Sequence, residues 1–183
     1  MSNESLKKLY VDELKDLYSA ENQLIKALPK MAKAASATEL QQGFEKHLKQ
    51  TEGHVQRLEE IFQALGESPK GKKCVAMEGL VKEGSEVMEG DFEGAVLDSG
   101  LIGAARRVEH YEMAAYRAVC AIAKTLAETK HVSLLKQTIE EETETDEKLT
   151  ELAEKINTLA NQESSRKEQG ESKSGVKTTK RVA

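Results

Sequence analysis

A carboxylate interrupts the apolar face of a long helical pattern. From about Ala95 to Leu126 the apolar residues Leu101, Ala105, Val108, Ala115, Val119, Ile122 and Leu126 recur every three or four positions, the period of one helix face. Glu112 falls in the middle of that face, and Glu109 sits one turn away on its flank. A carboxylate on a buried stripe is costly unless a metal, a base or hydrogen-bond donors meet it. Any fold this chain adopts has to supply one of them.

The other segments are helical as well. Charged residues make up 32% of the 183-residue chain and aromatics only 4%, with two prolines and no alternating β-branched runs, so an all-α fold is expected. Helix 1 is predicted from Glu4 to about Ser36, with Leu6, Leu9, Tyr10, Leu14, Leu17, Glu21, Leu24, Leu28, Met31 and Ala35 on one face and Pro29 as a kink. Thr38 through Gln41 has the form of a capping box and opens helix 2, which runs to Leu65 and stops at Gly66. Its face carries Leu40, Phe44, His47, Leu48, Thr51, Val55, Leu58 and Phe62, with His54 just off it, while Arg57 points elsewhere. A connector from Gly66 to Gly100 contains a short amphipathic helix around Val75–Met88, and Asp98 or Ser99 is a candidate cap for helix 3. After a turn at Thr129–His131, helix 4 runs from about Val132 to Leu159, burying Leu135, Thr138, Glu142, Asp146, Leu149, Ala153 and Ile156. The connector is long enough for helices 2 and 3 to run parallel, as in bundles with one long crossover. Residues 1–160 form the bundle; residues 161–183 lack periodicity, carry six Lys or Arg against three Glu, and are expected to be a flexible basic tail.

Net charge is −5, which argues against a nucleic-acid-binding body and leaves only weak anionic contacts through the tail. No segment has the roughly 18 continuous apolar residues of a membrane span, and none reads as a signal peptide. The two cysteines, Cys74 and Cys120, form no CxxC, so a cytoplasmic, reducing setting is the expectation. Cys74 follows Lys72 and Lys73, which would lower its thiol pKa, although a structural role is the simpler reading.

Depth along the helices joins these residues into one constellation. Counted from the turn near Ala37, Glu21 lies sixteen residues deep and His54 seventeen; counted from Lys130, Glu112 lies eighteen deep and Asp146 sixteen, with Glu142 one turn nearer the loop. At about 1.5 Å per residue, matched counts are matched heights. Glu21, Glu109, Glu112, Glu142 and Asp146 can thus supply oxygen, and His47 and His54 nitrogen, to two iron or manganese ions. Tyr18, Tyr111 and Tyr116 are candidate donors behind those ligands. Glu109 has an alternative in pairing with Arg106 or Arg107, and His110 lies off the stripe, toward the surface or a dimer contact.

Leu17–Leu24, Phe44–Leu48, Cys74–Leu80, Val108–Glu112 and Glu140–Asp146 resemble the YciE/YciF-like bacterial stress proteins of the ferritin-like superfamily, beside rubrerythrins and manganese catalases. The resemblance covers about residues 4 to 160 and implies a ferritin-like four-helix bundle, a homodimer and stress-related expression. It carries over ligand positions for Glu21, for one of Glu109 or Glu112, and for Glu142. A ferritin-like dimetal site usually repeats Glu-x-x-His on two helices. Here helix 2 has Phe44 and Thr51 three residues before its histidines, and helix 4 has Thr145 and Asp146 after Glu142. Two functions follow: a di-iron or di-manganese carboxylate protein acting on peroxide or oxygen, and a non-catalytic structural or binding dimer whose site has become a buried polar network. Mineral storage is disfavoured, since nothing in the sequence marks a cage-forming shell.

Overall fold

Short connections decide the topology. The computed structural model describes residues 4–174, with side chains over residues 4–165. It contains, among the described residues, α1 (Glu4–Ala34), α2 (Thr38–Leu65), α3 (Val75–Glu89), α4 (Gly94–Thr125) and α5 (Thr129–Ser174). Three-residue links make α1 and α2 one antiparallel pair and α4 and α5 another. The two hairpins pack with α1 on α4 and α2 on α5. Register is visible in the pairings: on the first seam Asp98 meets Ser36 and Tyr116 meets Glu21, and on the second Lys155 meets Glu39 and Lys130 meets Glu60. Both seams are antiparallel, so α2 and α4 run parallel and the crossover between them is required. It carries α3, which lies over α1 and α4. The backbone N–H of Cys74 donates to Ser19 Oγ at 2.9 Å and Gln23 donates to the Cys74 carbonyl at 3.0 Å, tying the crossover to α1.

The buried apolar side chains form two clusters. One holds Leu24, Leu28, Leu40, Phe44, Leu101, Ile102, Leu149 and Ile156, together with Met77 from α3. The other holds Tyr10, Leu14, Leu17, Leu58, Ile61, Phe62, Tyr116, Val119 and Leu135. Each fully buried Leu, Ile or Phe contributes about 1.5–3 kcal/mol, so both ends of the bundle are well supplied. Between them lies a layer in which every main helix buries something polar: Glu21, then His47, Thr51 and His54, then Glu109 and Glu112, then Thr138 and Glu142.

Several helix ends differ from expectation. Ala37, not Thr38, is the N-cap of α2, and no side chain of α2 caps it. Asp98 instead braces the link ahead of α2 from another helix: its Oδ1 and Oδ2 each accept a backbone N–H, from Ser36 and Ala37, at 2.7 Å. Asp98 therefore sits inside α4, which begins at Gly94 rather than at a cap near Ser99. The last connection falls at residues 126–128, and His131 is buried in α5 against the Tyr10 hydroxyl at 3.2 Å. The helix also continues past Leu159 to Ser174. Apolar periodicity stops near residue 160, but Ala, Gln, Glu, Arg and Lys still favour helix there, and Glu163 accepts the N–H of Ala95 at 3.2 Å. The expected flexible tail thus begins as helix, and residues 175–183 lie outside the described residues. C-terminal to α2, Gly66 takes φ 68° and lets Glu67 N–H close on the Phe62 carbonyl at 3.0 Å, the usual glycine-assisted stop.

Asp98 is 1% exposed and satisfies two donors that no residue of their own hairpin reaches. Asp98→Ala is expected to cost about 2–3 kcal/mol by orphaning both N–H groups. Chemical denaturation of the metal-free protein measures this, and a loss below the error of the fit would show the two bonds to be dispensable.

Candidate metal centre

The polar layer is built by helix periodicity. On α2, His47 and His54 are seven residues apart, two turns on one face, and their rings stand 6.3 Å apart edge to face. On α4, Glu109 and Glu112 are three apart and share a side of the helix. Glu21 of α1 and Glu142 of α5 project into the same layer, and Glu21, His54, Glu112 and Glu142 are 0% exposed, His47 3% and Glu109 2%.

These groups converge as two overlapping sets. His47, Glu109, Glu112 and Glu142 can each bring a ligand atom within 4.8 Å of the others, and so can Glu21, His54 and Glu142. Glu142 belongs to both. Its Oε1 lies 3.0 Å from His54 Nδ1 and its Oε2 3.7 Å from His47 Nε2; His54 Nδ1 is also 3.3 Å from Glu21 Oε1, and His47 Nε2 is 3.3 Å from Glu109 Oε1. None of these approaches is a directed hydrogen bond. Glu21 Oε2, Glu109 Oε2, both oxygens of Glu112, both of Glu142, His47 Nε2 and His54 Nδ1 are buried without hydrogen-bond partners. Native interiors rarely leave even a few such atoms, so eight in one layer require an explanation.

Outward-facing atoms, by contrast, are held. His54 Nε2 contacts Glu141 Oε2 at 2.9 Å, and Arg57 donates from Nη2 to both oxygens of Glu141 at 2.7 Å and from Nη1 to Thr138 at 2.7 Å. His47 Nδ1 faces the Thr145 hydroxyl at 3.3 Å. Each imidazole is thus oriented through one nitrogen while the other is turned into the cluster, the arrangement typical of metal-binding histidines. The Tyr116 hydroxyl donates to Glu21 Oε1, leaving Oε2 facing inward.

The electrostatics show what the layer costs. Burial and the carboxylates of Glu142 and Glu21 push the Glu109 carboxyl well above the ordinary range; burial, Glu21 and Glu142 do the same to Glu112. Burial lowers His47, outweighing the attraction of Glu142. Burial also opposes charge on His54, but Glu21 and Glu142 overrule it and hold the imidazole at about 10. Glu142 is drawn below the usual range, against burial, by the imidazoles of His47 and His54. Burial and Glu21 push the Tyr116 phenol upward, so it stays a donor.

Of the seven ligands expected from sequence, six meet here and Asp146 does not. Its carboxylate turns aside to Arg106 Nε at 2.8 Å and His110 Nε2 at 3.2 Å, which hold it charged. Four residues on from Glu142 is about 40° further round the helix, enough to bring Asp146 to the edge of the face. Glu109 pairs with neither arginine, because Arg106 takes Asp146 and Arg107 takes Glu83 at 3.1 Å. Among the tyrosines only Tyr116 reaches the layer: Tyr18 donates to Glu59 at 3.0 Å, and Tyr111 to Asp16 at 2.9 Å, beside Cys74 Sγ. Nor is the Cys74 thiol acidified. Lys72 and Lys73 are drawn off to Asp12 and Glu78, and burial with the Asp16 carboxylate nearby pushes the thiol up. Sequence reasoning passed over Glu141 and Arg57. Their only signal was an Arg and a Glu on the two helices that flank His54, at similar depth.

Known proteins bear on this geometry. The family model described as a domain of unknown function, DUF892, matches residues 5–163. Protein YciF of Escherichia coli (strain K12) is 43% identical over 147 residues, 80% of this chain and 89% of the relative. The crystal structure of the E. coli stress protein YciF superposes with a TM-score of 0.81 at 42% identity, covering 84% of this chain and 97% of that one. A ferritin-like, diiron-carboxylate protein from Bacillus anthracis strain Ames superposes with a TM-score of 0.65 at 22% identity over 84% of this chain and 99% of that one, a likeness of fold alone. With its crossover helix, its two apolar clusters and the acid–imidazole layer between them, this ferritin-like bundle belongs to the DUF892 family.

Proposed function

We propose that this is a ferritin-like stress protein whose bundle core holds two iron or manganese ions. His47, Glu109 and Glu112 would serve one ion, Glu21 and His54 the other, and Glu142 would bridge them. The observation that carries this reading is the set of eight buried, unpartnered ligand atoms aimed at one another. Four carboxylates match the charge of two divalent cations, and a mixed oxygen and imidazole set suits iron or manganese. When bound, such a pair supplies Lewis acidity and redox capacity toward peroxide or oxygen. The chain's own part is to hold Glu142 between the imidazoles, to fix His54 through Glu141 and Arg57, and to keep Glu21 aligned by Tyr116. The proposal includes a homodimer, for which exposed Leu9, Val75 and Phe92 offer apolar surface, and a reducing cytoplasmic setting, consistent with Cys74 and Cys120 being free. Among the described residues no helix is long and apolar enough to cross a membrane.

A second reading is a non-catalytic structural or binding dimer with a buried polar network. It draws on one observation: α2 brings no carboxylate to the layer and α5 no histidine, so the paired Glu-x-x-His pattern is missing. Anaerobic addition of Fe(II) or Mn(II) to metal-free protein separates the two. About two ions per chain are expected after desalting, and a Glu21→Ala/Glu112→Ala double variant should lose them. Because burial and neighbouring carboxylates raise Glu109 and Glu112 well above the ordinary carboxylate range when no cation faces them, loading should also release protons, read as a buffer-dependent heat of binding. Wild-type protein that stays empty would decide for the second reading.

The raised Glu112 carboxyl yields a sharper test. A group with a raised folded-state pKa contributes its full stability below the unfolded-state value and loses it as pH rises toward the folded one. Metal-free Glu112→Gln should therefore match wild type near pH 4 and exceed it at neutral pH by about 1–3 kcal/mol, because there the unfolded wild-type chain gains from an ionisation that the folded chain resists. With metal added the order should reverse, since only wild type gains from the ion. Thermal unfolding at the two pH values, with and without metal, measures both; a variant less stable than metal-free wild type at neutral pH would contradict the assignment.

A further inference from the structure

The two halves of the acid–imidazole layer are not equally equipped. Of the unpartnered ligand atoms, His47 Nε2, Glu109 Oε2 and both oxygens of Glu112 belong to the His47 set alone. Only His54 Nδ1 and Glu21 Oε2 belong to the His54 set alone, and the two oxygens of Glu142 are shared. Helix periodicity is the cause. α4 places Glu109 and Glu112 three residues apart, so one helix delivers two carboxylates to the same half, whereas α1 delivers Glu21 by itself.

What remains on the His54 side is also partly engaged. Glu21 Oε1 already accepts the Tyr116 hydroxyl, and Tyr116 is fully buried, so giving up that bond would strand its hydroxyl. Behind His54 the Glu141 carboxylate adds a negative charge, but Arg57 donates to both of its oxygens and cancels it. Glu112, by contrast, has neither oxygen engaged.

The affinity of a carboxylate site for a cation follows the number of charged ligands it offers. Three carboxylates and an imidazole can close on an ion in the His47 half, but only two carboxylates and an imidazole in the other. The first ion to enter the fuller half meets Glu142 uncommitted. The second finds Glu142 already shared and is repelled by the first. We infer that the two ions load in order, the His47 half first and the His54 half only at a higher cation concentration. A one-ion state then intervenes, and cation supply sets whether the pair is assembled. This order rests on the dimetal reading, since it concerns the two halves of that same site.

Mn(II) titrated into metal-free full-length protein, followed by electron paramagnetic resonance, tests the order. Two steps are expected, with dissociation constants at least about tenfold apart. Up to one equivalent the signal should be that of an isolated Mn(II), and the signal of a coupled pair should grow only with the second. His54→Ala should keep the tight step and lose the weak one, whereas His47→Ala should lose the tight step. Glu21→Gln, nearly isosteric, should weaken the second step alone. Circular dichroism and the thermal midpoint of the metal-free proteins establish that each variant folds, and Glu21→Gln keeps the test open if a histidine variant does not. With wild type binding two ions, a coupled-pair signal from the first additions, or two steps of equal affinity, would overturn the order and leave the dimetal reading standing. So would loss of the tight step in folded His54→Ala or Glu21→Gln. Wild-type protein that binds no Mn(II) would retire both.

Discussion

Everything in this bundle depends on placing four carboxylates and two imidazoles where water cannot reach them. An uncompensated buried polar group costs about 1–3 kcal/mol, and whole domains are stable by only about 5–15 kcal/mol. A layer with eight unpartnered atoms is therefore affordable only if other parts of the fold offset it. The two apolar clusters do so from opposite ends, and they also hold the four helices at fixed spacing, so the layer cannot relax by swelling. The upward shifts of Glu109 and Glu112 and the raised His54 imidazole are the protein's own partial remedy. Two divalent cations would complete it.

The ligand sets are unequal in a way that follows from which helix supplies what. α2 contributes only imidazoles, two turns apart, so one falls in each set. α4 contributes two carboxylates to the His47 set, and α1 contributes one to the His54 set. Glu142 from α5 is common to both, and it is the carboxylate with an imidazole on either side. The fold is that of ferritin-like bundles, but the donors are distributed differently from a duplicated Glu-x-x-His plan. Similarity to YciF, over most of both chains, extends to sequence; the likeness to the diiron-carboxylate structure is one of backbone.

Much of this was legible in the sequence because helical period and loop length are local. The facing of Glu21, His47, Glu112 and Glu142 and the crossover that makes α2 and α4 parallel follow from period and loop length. Counts from the two turns gave matched heights for Glu21, His54 and Glu112 because all three lie near mid-helix, since Asp98 beside Ser36 sets those turns at opposite ends. What escaped was whatever depends on a partner distant in the chain. Asp146 looks inward by the same spacing that places Glu142, yet Arg106 and His110 on α4 draw it out. Glu141, one residue before Glu142, carries no sign of its role until Arg57 is seen beside it. Thr38 looks like a cap, but Asp98, 61 residues away, serves the Ala37 N–H. The length of α5 was missed for the opposite reason: propensity outlasts apolar periodicity there, and the end of a buried stripe is not the end of a helix.

His54 spans the boundary between the sealed layer and the partly buried Arg57–Glu141 pair, with one ring nitrogen on each side. With the outer nitrogen against Glu141, and Glu141 clamped by Arg57, the ring cannot swing away from the layer, so the aim of a sealed side chain is set from outside the seal. The plug is anchored by its rim.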